Sequence, residues 1–398
     1  MNVVAANPRT VVAEVVNEGR RIVLHWGDGH ASRFHALWLR HVCRCEACGT
    51  WESAIRPLRL TEIPEDIAAE SAVLSDAGEL EVVWANDSHR SRYAADWLRG
   101  HCPSAAERAR RRFRPEPWGP EIASDLPQAD YATAKGDEAA RLDMLEALRD
   151  RGFVLVRGAP AEADATAEIA ALAGPLRITN YGSVYDFRYK PDALVYGDLN
   201  VKLDPHTDEP YRQAPPSVTI FHFVRAAKTG GESILVDSFR IGRMLKEEDP
   251  EGFALLARER ATFQRKLTEQ QRDFRMRAPI FSLDDEGEVA GFRLLDRGFA
   301  PLDLAEELVE PYYRAYRRLL TLLYDEANQL NIQVAAGEAL FFNNQRVLHG
   351  RTAFDTDGDR YMRTCHVELD EFHSNLRVLA RRLGREGADL ILPSGALS

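Results

Sequence analysis

Three residues have the types and the spacing of a metal-binding centre. His206 and Asp208 are two positions apart, and in an extended segment such residues point to the same face. His349 follows a predicted strand and turn, 141 residues after Asp208, and can supply a third ligand. Two histidines and one carboxylate are the ligand set of non-haem iron(II) oxygenases, which leaves three coordination positions open. Catalytic zinc in hydrolases uses the same set, so a zinc hydrolase is the alternative interpretation.

An arginine after these residues can bind an anionic cosubstrate beside the metal. Arg363 lies fourteen residues after His349. Because a guanidinium holds a carboxylate through two parallel hydrogen bonds, Arg363 is the candidate, with an ordinary surface ion pair as the alternative. The complete ligand set and this arginine together argue against a non-catalytic binding protein that kept the fold.

A second group of metal-binding residue types lies near the N-terminus. Cys43, Cys45 and Cys48 offer three thiolates within six residues. Soft sulfur ligands in a closed tetrahedral set are typical of structural zinc. The alternative interpretation is three buried or redox-active cysteines. The spacing leaves three candidates for the fourth ligand: His89, His101 and Cys102.

Composition limits the class of protein. The 398 residues are 45% hydrophobic and 28% charged, and the net charge is −11. Such an acidic chain is a poor candidate for binding nucleic acid or anionic membranes. No run of apolar residues is long enough to span a membrane, and Met1–Thr10 has no signal-peptide pattern. An odd cysteine count with three cysteines clustered fits a reducing compartment, so we expect a cytoplasmic enzyme.

Two regions must position these residues. A segment with three prolines and one glycine separates residues 1–115 from residues 125–398. The first region contains an internal repeat, in which nine of sixteen positions are identical between 28–43 and 87–102, an offset of 59. Each copy predicts a strand, a tight turn, a strand and a short helix, so we expect a small β-rich, pseudo-symmetric domain.

The second region has helical patterns first and strand patterns later. Helices are predicted over Asp137–Arg151, Ala163–Leu172 and Leu302–Leu330. Strands are predicted over Phe153–Arg157, Ser217–Val224, Ser233–Val236, Ala339–Phe342 and Val347–His349. Helices that precede a largely β half indicate a β-sandwich or jelly roll with helices packed outside.

Several motifs resemble one oxygenase family throughout nearly the whole chain. The family is that of γ-butyrobetaine hydroxylase and trimethyllysine hydroxylase, 2-oxoglutarate oxygenases of the taurine dioxygenase-like superfamily. The matching stretches are Trp38–Arg40 with the cysteine group, Asn180–Gly182, His206–Asp208, Thr229–Ser233 with Val236–Asp237, and Asn344–Arg351.

The resemblance implies a fold and a set of cofactors. It implies a mainly β protein with flanking helices: a double-stranded β-helix (jelly-roll) catalytic domain and a small zinc-binding N-terminal domain. It also implies iron(II) at His206, Asp208 and His349, 2-oxoglutarate with its distal carboxylate on Arg363, and dioxygen. His89 matches the family's fourth ligand to a structural zinc. The partners implied are a small-molecule substrate and a second copy of the chain, as a homodimer.

The substrate expected from the resemblance is a small zwitterion. Quaternary ammonium groups bind in aromatic cages through cation–π attraction. The candidate cage residues are Tyr181, Tyr185, Tyr196 and Tyr211. Asp296 and Arg297 stand where the family binds a substrate carboxylate, and Arg297 suits a carboxylate or a phosphonate whereas Asp296 suits an amine. This chain departs from the family at Leu194, where an asparagine is usual, and at Leu369, near a cage position.

Hydroxylation of an unactivated C–H bond is the expected reaction. Desaturation, cyclisation or epimerisation with the same cofactors is the alternative outcome for a specialised metabolite.

Overall fold

A computed structural model describes residues 11–16, 18–50, 55–75, 77–193, 196–356, 360–385, 387 and 390–396. Met1–Thr10 and Leu194, on which two of the expectations rest, lie outside the described residues. The chain divides into two units. The first unit is Met1–Phe113 with Asp389–Ile391, and the second is Arg114–Ala388 with Leu392–Ser398. No helix of the described residues is long and apolar enough to cross a membrane.

The repeat in the first unit folds as two copies of one β-β-β-α arrangement. The first copy comprises β1 (Val11–Val16), β2 (Arg21–Trp26), β3 (Ala31–His35) and α1 (Ala36–His41). The second comprises β4 (Ala69–Leu74), β5 (Glu79–Trp84), β6 (Arg90–Ala94) and α2 (Ala95–Gly100), and α3 (Ala105–Arg111) follows it. Each copy forms an antiparallel sheet, in the orders β1-β2-β3 and β4-β5-β6.

The alternation of apolar residues explains these sheets. Leu80, Val82 and Trp84 are buried on one face of β5, and β2 buries Ile22, Leu24 and Trp26, because side chains in a strand alternate between faces. The indole N–H of Trp84 donates to the Ser91 hydroxyl at 2.9 Å, which satisfies the one polar atom of this core residue. Local pattern and burial agree, so the strand and helix predictions for the repeat are confirmed.

The second unit consists of mixed sheets with flanking helices. Its strands are β7 (Gln128–Asp130), β8 (Phe153–Arg157), β9 (Val184–Arg188), β10 (Leu203–His206), β11 (Val218–Arg225), β12 (Ser233–Asp237), β13 (Ala261–Leu267), β14 (Arg272–Ala278), β15 (Phe281–Leu283), β16 (Val289–Phe292), β17 (Leu330–Ile332), β18 (Glu338–Asn343), β19 (Val347–Arg351) and β20 (Tyr361–Val367). Its helices are α4 (Tyr131–Gly136), α5 (Glu138–Arg151), α6 (Thr166–Ala170), α7 (Ser238–Glu248), α8 (Pro250–Arg258), α9 (Glu306–Tyr324) and α10 (Leu369–Arg382).

Two sheets form the centre of this unit. The larger has the order β7-β8-β18-β11-β20-β9 and the smaller the order β10-β19-β12-β17, and only the β7–β8 pair among these is parallel. One face of the larger sheet packs against α5 and α10, and its other face packs against apolar residues of the smaller sheet. Strands buried on both faces are nearly continuous apolar runs, as in Phe153–Val156.

Two predicted helices are longer than the structure allows. The helix predicted over Leu302–Leu330 is α9, which ends at Tyr324 because Asp325 caps a short 3-10 turn and β17 then begins at Leu330. The helix predicted over Ala163–Leu172 is a 3-10 turn followed by the five residues of α6.

Candidate metal centre and substrate cavity

The pairing of two strands brings the predicted iron ligands together. His206 ends β10 and lies directly opposite His349 on the antiparallel strand β19. Asp208 follows two residues later, with its carboxylate oxygens 3.7 Å from His206 Nε2 and 3.5 Å from His349 Nε2. One ligand atom from each of the three side chains lies within 4.8 Å of the others. Residues far apart in sequence therefore converge on one point.

Burial shifts the pKa values of all three candidate iron ligands. Burial, and then the charge of Arg297, lower the pKa of His349 to about 3, and burial also holds the pKa of His206 well below its usual range. Both imidazoles are therefore neutral and keep a lone pair for a metal. Burial raises the pKa of Asp208 to about 6, and the nearby His366 and Arg297 offset this only in part. A metal ion would supply further positive charge.

Backbone contacts orient the donors. His206 Nδ1 lies 2.9 Å from the carbonyl oxygen of Asp204, which can only accept, so Nδ1 carries the proton and Nε2 faces the centre. Asn344, buried in the turn before β19, accepts from the Asp208 N–H at 2.7 Å and donates to the Asp208 carbonyl at 3.2 Å. The sequence motif contains Asn344, but its spacing alone does not reveal this role.

A cavity of about 400 Å³ opens beside the three residues. One part of its wall is aromatic: Tyr181 and Tyr185 lie 5.6 Å apart at 72°, and Phe187 lies 4.8 Å from Tyr185 at 72°. The Arg297 guanidinium lies 5.3 Å above the ring of Tyr196, which also lines the cavity. Aromatic faces and a cation thus share one cavity with the candidate iron centre.

Comparisons with known proteins agree with this geometry. The family model described as taurine catabolism dioxygenase TauD, TfdA family matches residues 111–366. The chain belongs to the TauD/TfdA dioxygenase family. A second model, gamma-butyrobetaine hydroxylase-like, N-terminal, matches residues 14–86.

Relatives cover nearly the whole length of this dioxygenase. A gamma-butyrobetaine dioxygenase of Pseudomonas sp. (strain AK-1) is 35% identical over 89% of this chain and 93% of the relative. A trimethyllysine dioxygenase of Meyerozyma guilliermondii is 29% identical over 93% of this chain and 95% of the relative. The solved structure of a taurine dioxygenase from Burkholderia xenovorans has 18% identity and a TM-score of 0.46 over 62% of this chain and 91% of that chain.

The chain is therefore a 2-oxoglutarate-dependent dioxygenase that uses iron(II), 2-oxoglutarate and dioxygen. The predicted resemblance is confirmed.

The dioxygenase does not bring Arg363 to the cavity. Met362, Thr364 and His366 of β20 line it, and Arg363 points to the opposite face because successive side chains alternate. Its Nε instead donates to Asp186 at 2.8 Å. This placement does not support the predicted role of Arg363 in binding 2-oxoglutarate.

Arg360 and Arg351 line the cavity in its place, and they differ in their partners. The Arg351 guanidinium donates to the carbonyls of Gly197 and Val201 at 3.0 and 3.2 Å, so backbone oxygens hold it. Arg360 makes only a long contact of 3.8 Å to the sulfur of Met362, and among the described residues no carboxylate pairs with it. Burial, and then the charge of Arg351, lower the pKa of Arg360 to about 9. Within the described part of the chain, Arg360 is therefore a buried cation without a carboxylate partner.

The other predicted substrate residues divide into two groups. Tyr181, Tyr185, Tyr196, Tyr211 and Arg297 all line the cavity.

Asp296 does not line the cavity, since it accepts from the hydroxyl of Tyr316 at 2.7 Å on α9. Leu369 packs in the core at the start of α10. His366, three residues before Leu369, also lines the cavity. The sequence did not identify it, because both faces of β20 carry polar residues and no alternation marks the cavity side. Burial lowers the pKa of His366 to about 4, so its imidazole is neutral. Asp296 is therefore not supported as a substrate contact.

The cysteine group gathers around one histidine. His89 Nε2 lies 3.5, 3.6 and 3.5 Å from the sulfur atoms of Cys43, Cys45 and Cys48. A tetrahedral zinc with ordinary bond lengths separates its nitrogen and sulfur ligands by about 3.6 Å. The four donors therefore fit zinc in both chemistry and spacing.

The two rival fourth ligands lie elsewhere in the first unit. The ring of His101 stacks on Trp97 at 4.1 Å, and Cys102 lies 3.3 Å from His30.

Removing Asn344 is expected to weaken iron binding. Asn344→Ala removes the hydrogen bonds to the backbone N–H and to the backbone carbonyl of Asp208. Loss of such an orienting contact weakens metal binding by about 10–100-fold. Anaerobic iron(II) titration measures this change. Asn343→Ala is the control, since Asn343 contacts Gln345 and not Asp208 in the same turn. Equal iron affinities in the two variants would remove the positioning role.

Proposed function

We propose that this dioxygenase hydroxylates an unactivated C–H bond of a small zwitterion with an ammonium end and a carboxylate or phosphonate end. The observation that supports this is one cavity that contains Arg297, which has no ion pair with any residue that the structure describes, and perpendicular aromatic rings beside the candidate iron residues. The names of the relatives agree with a trimethylammonium substrate class. The two facing sheets of the second unit are consistent with a double-stranded β-helix.

Iron(II) is held by His206, Asp208 and His349 in this proposal. Iron(II) with 2-oxoglutarate and dioxygen would supply the oxidising power for hydroxylation of a C–H bond. The chain's own contribution is orientation. The Asp204 carbonyl fixes the tautomer of His206, and Asn344 fixes the backbone of Asp208.

Arg360 binds the distal carboxylate of 2-oxoglutarate in this proposal. A buried guanidinium without a counter-ion is unfavourable, and a bidentate carboxylate supplies both charge and hydrogen bonds. The rings of Phe223 and Phe354, 5.7 and 5.2 Å from the guanidinium carbon, keep the group on apolar surface where water cannot replace that anion.

The substrate would occupy the part of the cavity that Arg297 and the tyrosines line. Arg297 binds its anionic end. The charge of Arg297 lowers the pKa values of His206, Asp208 and His349, so this end would lie in the part of the cavity beside the candidate iron residues. The ammonium end lies against Tyr181, Tyr185 and Phe187, whose ring faces attract a cation without a counter-charge.

Replacing Arg297 is expected to affect substrate binding and not the cosubstrate. Arg297→Ala raises the substrate KM by about 10–100-fold, as expected for loss of a charge-assisted hydrogen bond of about 1.5–3 kcal/mol. Turnover of 2-oxoglutarate without substrate changes little. Steady-state kinetics measure both, with Arg297→Lys as the variant that keeps the charge and loses the two-pronged geometry. An unchanged substrate KM in Arg297→Ala contradicts this role.

The reaction itself is tested with anaerobic protein, iron(II) and 2-oxoglutarate. A weak metal-to-ligand charge-transfer band is expected when both bind. Oxygen is then added with a panel of betaines, aminophosphonates and amino acids, and succinate is measured. The product's mass distinguishes hydroxylation, which adds an oxygen, from desaturation or cyclisation, which remove hydrogen, and from epimerisation, which leaves the mass unchanged. A zinc hydrolase would give no band and no succinate.

We also propose that the cysteine group and His89 bind a structural zinc. Cys45→Ser is expected to reduce the zinc content from one to near zero per chain. It is expected to lower the melting temperature by about 10 °C or more, because metal binding contributes directly to folding. Cys365→Ser is the control, since Cys365 is buried in the second unit, apart from the group. Unchanged zinc content in Cys45→Ser contradicts the assignment. A homodimer and a cytoplasmic location stay predictions.

A further inference from the structure

The two copies in the first unit make equivalent contacts with each other. Asp28 and Asp87 each accept from the backbone N–H of the histidine two residues later, at 3.0 Å in both cases. Each aspartate also accepts, at 2.9 Å, from an arginine of the other copy: Arg99 for Asp28 and Arg40 for Asp87. The offset of 59 residues therefore relates interactions as well as sequence.

The same offset gives every residue of the proposed zinc site a counterpart. Cys43, Cys45, Cys48 and His89 correspond to Cys102, Ser104, Glu107 and His30. The first and last of these counterparts are still a cysteine and a histidine. Cys102 Sγ lies 3.3 Å from His30 Nε2, close to the 3.5 Å between Cys43 and His89. Half of a second tetrahedral ligand set is thus present and assembled.

A capped helix and an ion pair stand where the other two cysteines would be. The hydroxyl of Ser104 accepts from the Glu107 N–H at 3.3 Å and so caps α3. The Glu107 carboxylate accepts from Arg99 at 2.7 Å, where the equivalent Arg40 donates to the sulfur of Cys48 at 3.3 Å. Both copies therefore contain this arginine contact, while its acceptor changes from a cysteine sulfur to a carboxylate.

The Ser104 cap and the Arg99–Glu107 pair hold residues 102–107 in place, as the proposed zinc would hold residues 43–48 in the first copy. Glu107 is 9% exposed and Arg99 20% exposed, so their pair is partly shielded from water. Arg99 keeps a second carboxylate partner in Asp28, and so it stays neutralised if Glu107 is replaced.

We propose that His30, Cys102, Ser104 and Glu107 form a latent second zinc position, at which the helix cap and the Arg99–Glu107 pair perform the structural role of the metal. The natural residues leave zinc only two strong ligands there. Two thiolates at Ser104 and Glu107 would complete a Cys3His set that takes zinc or a similar thiophilic divalent ion such as cobalt(II). This inference rests on the zinc proposed at Cys43, Cys45, Cys48 and His89.

The test is the full-length variant Ser104→Cys/Glu107→Cys, titrated with cobalt(II) and analysed for zinc after dialysis. The unaltered protein is expected to hold one zinc per chain and the variant two, with twice the cobalt–thiolate absorbance. Adding Cys102→Ala should return the content to one. A folded variant, judged by circular dichroism, that still holds one zinc overturns the inference.

Further measurements keep the outcomes distinct. If the double variant does not fold, Ser104→Cys alone keeps the Arg99–Glu107 pair and offers three strong ligands, and absence of additional cobalt binding there also overturns the inference. If the first site is not a zinc site, the unaltered protein holds none and the double variant one. Glu107→Gln is expected to lower the melting temperature while the zinc content stays at one; an unchanged melting temperature contradicts the structural role of the ion pair.

Discussion

Replacing Asp208 with alanine is expected to reduce succinate formation at least about a thousandfold, which corresponds to a loss of about 4 kcal/mol of transition-state stabilisation. The two remaining imidazoles are neutral and buried, so neither remaining ligand supplies a negative charge to hold a divalent cation. The metal-to-ligand band of the anaerobic complex should disappear together with turnover. Loss of both signals distinguishes loss of iron from a slower chemical step with iron in place.

The matched control for this variant is Asp204→Asn. Asp204 is an exposed carboxylate four residues away, and only its backbone carbonyl, which the substitution keeps, orients His206. Its band and turnover should stay close to those of the unaltered protein, which separates loss of a ligand from loss of nearby charge. If Asp208→Ala keeps the band and the turnover, Asp208 is not an iron ligand.

Elements with local signals at both ends could be predicted from the sequence. The helix predicted over Asp137–Arg151 is α5, because the side chain of Asp137 caps its first turn and Gly152 adopts a left-handed φ of 78° at its end. The end of α9 could not be predicted in this way. Apolar spacing continues to Leu330, which faces the core from a strand and not from a helix.

The convergence of His206, Asp208 and His349 could be predicted from the sequence, but the arginine that lines the cavity beside them could not. The pair His206 and Asp208 is defined by strand geometry over three residues, and that geometry is local. The choice between Arg360, which directly precedes β20, and Arg363, which lies within it, depends on the side that each one faces. That strand is buried on both faces, so no clean alternation of polar and apolar residues marks the cavity side. Only the pairing of β20 with β11 and β9 fixes it.

Replacing Arg360 with alanine is the second variant for which we expect a large effect, in this case on the KM for 2-oxoglutarate. Arg360→Ala is expected to raise the KM for 2-oxoglutarate by about 30–3,000-fold, because truncating one partner of a buried charge pair loses about 2–5 kcal/mol. Arg363→Ala is the matched control. It removes a guanidinium three residues away, and the pair of Arg363 with the half-exposed Asp186 is worth about 1 kcal/mol at most.

Comparison of the two variants distinguishes binding of the 2-oxoglutarate carboxylate by Arg360 from a general effect of removing a positive charge. The KM for 2-oxoglutarate in Arg363→Ala should stay within about threefold of the unaltered value, since an exposed pair on the opposite face does not reach the cavity. Arg360→Lys should recover part of the loss, because an ammonium keeps the charge but makes no bidentate contact. The reverse order, with Arg363→Ala the more damaged variant, would return the cosubstrate to Arg363 and require β20 to present its other face to the iron.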